Sequence, residues 1–234
     1  MTPPLLLTTR PASFAGRSGY PLLADYLPEA EVVTTGRQDP PGGIGRWLAR
    51  AARRLAFSRW YLGGSAALEW RGLRRLWGGR PRIVHQFWAD FDVGFLDLYA
   101  RRAGHRLVGT FHHCADTIAG VIRFPRRLRN FDAVILMSES QRPFMQAAGV
   151  PDDRIHVVHH GVDARYFSPG PGPAAGPFRV LSVGNYRRDF TALRAVCDRL
   201  AGRPNVEVRV VGPVAAAGHF AGIPNVRYLT GLSD

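Results

Sequence analysis

Three short stretches of this chain hold residue types that can do chemistry. The first, His112-His113-Cys114-Ala115-Asp116, follows the apolar run Arg106 to Phe111. An imidazole there titrates near neutrality and can donate a hydrogen bond or move a proton. A metal site is the rival chemistry. Period-two alternation, however, puts His112 and Cys114 on one face and His113 on the other, and no usual zinc-ligand spacing is present, so no metal is expected. The second stretch, Gly184-Asn185-Tyr186-Arg187-Arg188-Asp189-Phe190, joins a strand over Phe178 to Val183 to a helix from about Thr191 to Leu200. A glycine at a strand's end and arginines at a helix start make a phosphate cradle, with open backbone, the positive dipole end and a guanidinium fork. The alternative is a solvated surface pair. The third stretch, Gly16-Arg17-Ser18-Gly19, can hold an anion between strand and helix, or serve as a plain turn. It lacks the dinucleotide spacing G-x-G-x-x-G.

The elements that must position these groups alternate strand and helix. Leu5 to Thr9 reads as a strand, followed by a helical pattern through Leu22, Leu23, Tyr26 and Leu27, and Glu31 to Thr35 as a second strand. Further strands are predicted over Arg82 to Trp88, Arg106 to Phe111 and Ala133 to Met137, the last a continuous apolar run suited to burial on both faces of a parallel sheet. A helix is predicted from about Asp92 to Arg102, and another, interrupted at Pro125, with Asp116 as its cap. Ser138 is placed as the next cap. Strand ends in such sheets are where ligands sit. The organising segment is Arg154 to Pro169: a β-branched run stops at His160-Gly161, turns through Val162-Asp163, and meets a Pro/Gly cluster. This predicts an α/β fold with a parallel-sheet domain over 1–168, a linker at 169–177, and the start of a second domain over 178–234. In the latter, strands are expected at Val206 to Val211 and Val226 to Leu229.

With 234 residues and 46% hydrophobic content the chain can bury a sizeable core. The formal charge is +13 and the sequence pI about 11.1, with every positive residue an arginine. Such a balance favours phosphates, nucleotides, nucleic acid or anionic lipid, although all-arginine usage is also the mark of GC-rich coding. Two cysteines, Cys114 and Cys197, exclude a disulfide framework, and no apolar run approaches a membrane span. No signal peptide is read at the N-terminus. The expectation is a cytoplasmic protein that at most lies on a membrane. Residues 45–82 hold ten arginines against one acid, Glu69, with Trp47, Trp60, Trp70 and Trp77 interleaved. Arginines opposite Trp and Leu describe a helix in an anionic lipid interface, or equally two domain helices that pack Trp and Leu inward. Nucleic acid is a third reading, but no nucleic-acid module accompanies the charge.

A strand followed by His160-Gly161-Val162-Asp163, an aromatic and Pro, preceded by Ser138-Glu139-Ser140 and Gly149-Val150, resembles the end of the first domain in GT-B glycosyltransferases, especially family 4. The resemblance covers nearly the whole chain. It implies two Rossmann-type domains, the second incomplete, because the paired glutamates that hold the donor ribose and sugar in the family are not found. It further implies that Thr110-Phe111-His112 places His112 beside the transferred sugar, leaving His113 structural. Gly16 to Gly19 would face the acceptor, and Gly184 with Arg188, or secondarily Arg187, would grip the donor diphosphate. The expected activity is transfer of a hexose from a nucleotide-diphosphate sugar to a lipid-linked or polysaccharide acceptor, with retention, and with no cofactor or metal. A non-catalytic membrane-bound partner subunit and an epimerase of the same fold remain as alternatives.

Overall fold

A computed structural model describes residues 2–10, 20–36, 54–170, 176–184 and 188–232. The chain divides into two compact units, Met1–Tyr166 and Phe167–Asp234. Gly16, Arg17, Ser18, Gly19, Trp47 and Arg187 lie outside the described residues.

The first unit holds one parallel sheet of β1 (Leu5–Arg10), β2 (Glu31–Gly36), β3 (Ile83–Gln86), β4 (Arg106–Phe111), β5 (Ala133–Leu136) and β6 (Ile155–Val157). Their order is β2-β1-β3-β4-β5-β6. Leu5, Leu6 and Leu7 are all buried. Adjacent residues of a strand point to opposite faces, so such a run requires cover on both sides. The sheet order reverses at β1, with β2 on one side and β3 on the other, and this switch point leaves a crevice outside the strand ends.

The helices are α1 (Gly63–Leu76), α2 (Ala89–Asp92), α3 (Leu96–Arg102), α4 (Ala115–Val121) and α5 (Arg142–Ala147). On α1, Gly64, Leu68, Gly72 and Leu76 recur every fourth residue and are buried. Gly72 lets the helix approach the sheet: a Cβ there would stand 3.0 Å from a Leu7 methyl. The described tryptophans of the basic tract do not behave alike. Trp60 packs inward, stacked on Phe91 with centroids 4.7 Å apart, whereas Trp70 and Trp77 are 63% and 77% exposed.

The single helix expected over 92–102 is instead two, α2 and α3, parted at Val93–Phe95. Buried Glu69 is the cause. Its carboxylate accepts the N–H groups of Gly94, Phe95 and Leu96 at 3.0, 2.8 and 2.6 Å, and the Tyr61 hydroxyl at 2.6 Å. These are N–H groups that a helix start leaves without an internal partner, and an anion suits that end of the dipole. The cap expected at Asp116 is also displaced: α4 starts at Ala115 after Cys114, and Asp116 lies in its first turn. Ser138 does cap, accepting from Ser140 N–H while the Gln141 side chain returns to Ser138 N–H.

The second unit is a parallel sheet of β7 (Phe178–Val183), β8 (Val206–Val211) and β9 (Val226–Leu229), in that order. Helix α6 (Phe190–Leu200) and a 3₁₀ segment, Val214–Phe220, cover one face over Cys197, Val208, Val210, Phe220 and Ile223. Leu181 and Val183 of β7 are more than half exposed. Cys114 and Cys197 form no disulfide among the described residues. Among the described residues, no helix is long and apolar enough to cross a membrane.

Two stability predictions follow from these contacts. Glu69→Ala strands three N–H groups and a hydroxyl in the interior and is expected to cost about 3 kcal/mol or more in a denaturant titration, whereas exposed Arg74→Ala costs less than about 0.5 kcal/mol. His85 on β3 shares a 2.8 Å hydrogen bond with Thr110 on β4, and burial together with the nearby His112 lowers its pKa to about 4. The unfolded chain takes up this proton near pH 6.5 and the folded one only near 4. The contribution is therefore complete above about pH 6.5 and lost as pH falls towards 4, on the order of 1–3 kcal/mol. Thermal melts across this window should show a shallower acid loss in His85→Gln than in wild type.

Candidate active site

Because all six strands of the first sheet run the same way, their C-terminal ends share one edge, and the polar groups gather there. At the switch point Asp92 accepts the Thr9 hydroxyl at 2.8 Å and the Ser65 hydroxyl at 2.7 Å, tying β1 to α1 and α2. Two residues earlier stands Asp90, fully buried. Its Oδ2 accepts the backbone N–H of His112 at 3.1 Å, that of His113 at 3.2 Å, and His113 Nδ1 at 2.6 Å. Oδ1 lies 3.9 Å from His112 Nδ1, a distance for charge attraction and not for a direct bond. Burial alone would raise this carboxyl, but the two histidines outweigh it and hold Asp90 at about 2. With Asp90 ionised, His113 must carry its hydrogen on Nδ1.

This corrects the expected placement of the two imidazoles on opposite faces. Strand β4 ends at Phe111, and past it the backbone wraps the Asp90 carboxylate, so alternation no longer applies and both rings come to one acid. Cys114 is exposed, with Sγ 3.1 Å from the Thr117 hydroxyl. Among the described residues no group of three His, Cys, Asp or Glu side chains is arranged to hold a metal ion.

His112, the residue singled out for chemistry, has a side chain only 6% exposed. Its ring stacks on Trp88 at 4.1 Å and lies 6.0 Å from His160, just beyond β6. Burial and the proximity of His112 lower the pKa of His160. His113 meets Trp60 and Phe91 edge-on at 4.9 and 5.0 Å. Ends of β3, β4 and β6 thus bring together Trp88, Asp90, His112, His113 and His160. Sequence reasoning singled out His112 but not Asp90, Asp92 or Trp88, which the structure gathers around it or beside it. The available signal was Asp90-Phe91-Asp92 directly after a strand whose end faces the switch point. Elsewhere in this unit the Asp163 carboxylate of the organising segment accepts the Tyr26 hydroxyl at 3.0 Å and Arg165 N–H at 3.0 Å, and the Arg165 guanidinium covers the Tyr26 ring. With Asp25 and Tyr166 they line a shallow recess.

In the second unit, Gly184 ends β7 with φ 144°, a conformation L side chains rarely adopt. Arg188 folds back over it, so that any Cβ at Gly184 would collide with the guanidinium. Arg188 Nη2 donates to the Val183 carbonyl at 2.9 Å and pairs with no acid among the described residues. Gly184 and Arg188 are therefore brought together at a strand's end. The helix start is less open than expected, since Asp189 caps α6 by accepting Ala192 N–H at 2.9 Å.

Comparison with curated protein sequences yields no significant match. Among solved structures, the lipopolysaccharide outer core galactosyltransferase WaaB is similar at a TM-score of 0.56 and 14% identity, over 98% of this chain and 68% of that one. Anabaena HepE in complex with UDP and glucose aligns at 0.49 with 13% identity, over 98% and 69% of the two chains. The UDP-N-acetylglucosamine 2-epimerase of Rickettsia bellii aligns at 0.48 with 11% identity, over 98% and 69%. The likeness to WaaB shows a shared GT-B fold, consistent with two parallel α/β units joined in this order. The model of Glycosyltransferase Family 4 matches residues 23–166, more than half of the sequence. The chain belongs to Glycosyltransferase Family 4.

Proposed function

We propose that this glycosyltransferase moves a hexose from a nucleotide-diphosphate sugar to a lipid-linked or polysaccharide acceptor, with retention at the anomeric carbon. The observation that carries the reading is the pairing at the end of β7: a glycine in a conformation L side chains rarely adopt, covered by a guanidinium that pairs with no acid among the described residues. Such a group has unspent capacity for an anion, and the diphosphate leaving group is the anion this reaction generates.

In the proposed reaction the bond between the anomeric carbon and the diphosphate oxygen breaks as the acceptor hydroxyl oxygen bonds to that carbon. The departing diphosphate oxygen takes the electron pair of the broken bond and accepts the proton that leaves the acceptor hydroxyl. Arg188, with Arg187 as its neighbour in sequence, stabilises the charge that develops on the leaving oxygen. His112 stands beside the sugar and hydrogen-bonds it, while Gly16, Arg17, Ser18 and Gly19 serve the acceptor side. Asp90 acts through the histidines and not on the sugar, since it is buried beneath them. Its anionic carboxylate fixes the turn that carries both rings.

The test is to incubate the chain with UDP-, GDP- and other nucleotide-diphosphate hexoses and acceptor, and to follow nucleotide release and glycoside formation. Arg188→Ala is expected to weaken nucleotide-diphosphate binding by about tenfold or more, measured by calorimetry, because a charge-assisted hydrogen bond is removed. His112→Ala is expected to lower kcat about a hundredfold while the nucleotide dissociation constant changes less than about threefold. Donors that are neither hydrolysed nor transferred would refute the activity. A nucleotide sugar that is epimerised with no acceptor present would replace it.

A further inference from the structure

The two faces of α1 are chemically opposite. Inward lie Gly64, Leu68, Gly72 and Leu76, with Glu69, the helix's single acid, turned into the unit and consumed by its four hydrogen bonds. Outward, Trp70, Arg74 and Trp77 follow one another at i, i+4 and i+7, the spacing that keeps side chains on one stripe. Both indoles are mostly exposed, and Trp77 lies parallel to Tyr99 of α3, with ring centroids 6.2 Å apart and planes within 12°. An apolar stripe on the outside of a folded unit marks an interaction surface.

The charges around this stripe identify what fits it. Arg74 and Arg80 are exposed and make no hydrogen bond or ion pair among the described residues. Arg71 donates to the Thr34 carbonyl and Arg75 pairs with Glu31, so the flank towards β2 is basic but partly neutralised. The stripe itself thus presents indole and guanidinium with no outward carboxylate. Indoles settle at the boundary between headgroups and acyl chains, and guanidiniums pair with headgroup phosphates. A convex helix stripe also matches a plane better than the groove in which a nucleic-acid strand is usually held. We propose that the outer stripe of α1, Trp70, Arg74 and Trp77, docks on an anionic lipid bilayer.

The experiment is co-sedimentation of the full chain with phosphatidylcholine vesicles containing or lacking phosphatidylglycerol, at low and high salt. No donor or acceptor is needed, so the outcome is independent of the proposed transfer reaction. Binding to the anionic vesicles is expected to exceed that to neutral ones by about tenfold or more, and to fall with salt. A Trp70→Ala, Trp77→Ala double variant and, separately, Arg74→Glu should each weaken it by about tenfold, with unchanged circular dichroism and melting temperature because the side chains are exposed. Equal binding of wild type and Arg74→Glu, no preference for anionic vesicles, or no binding at all would overturn the proposal. So would binding of a single-stranded oligonucleotide, lost in the same variants, by a chain that leaves vesicles unbound.

Discussion

A carboxylate buried at the end of β3 sets the geometry of the first unit's working edge. Asp90 has lost its water, and a bare anion inside a protein is tolerated only when hydrogen-bond donors replace that water. The donors come from the residues that follow β4: two backbone N–H groups and one imidazole. The requirement is mutual: the charge fixes the loop and the loop retains the charge. His112 and His113 owe their common location to that exchange. The Ser58 hydroxyl, which donates to the Asp90 carbonyl at 2.6 Å, ties the same residue to the tract before α1.

Parallel topology does the rest of the positioning. Strands that all run one way must end on one edge, and the reversal of order at β1 opens a crevice at that edge. The second unit repeats the arrangement on a smaller scale, with Gly184 and Arg188 at the end of its first strand. Each unit thus offers its chemically competent groups where its strands stop, an imidazole cluster on one and a guanidinium on the other. Leaving-group stabilisation by fixed charge and placement of the sugar by hydrogen bonds both demand rigid supports, and strand ends supply them.

Much of this was readable from local pattern. Leu5-Leu6-Leu7 and Ala133-Val134-Ile135-Leu136 could only be strands covered on both faces, and Ser138 with Gln141 three residues on announced its own cap. What escaped depends on partners distant in sequence. Nothing near Gly94 says that the helix must break there, because the carboxylate that breaks it belongs to Glu69. Likewise the hydrogen bonds that hold buried Asp90 come from residues 22 and 23 positions away, which no local pattern around it announces. The basic tract was ambiguous for a different reason: helical periodicity finds two faces but does not say which one meets the core. Small residues decided it, since Gly64 and Gly72 let α1 lie close to the sheet and turned Trp70 and Trp77 outward.

The central proposal is that Arg188, folded over Gly184 at the end of β7, holds the diphosphate of a nucleotide-diphosphate hexose. A crystal structure of the chain with such a donor bound tests it most directly. Diphosphate oxygens are expected within hydrogen-bonding distance of the Arg188 guanidinium at the end of β7. A donor bound with its diphosphate away from Arg188 would contradict it.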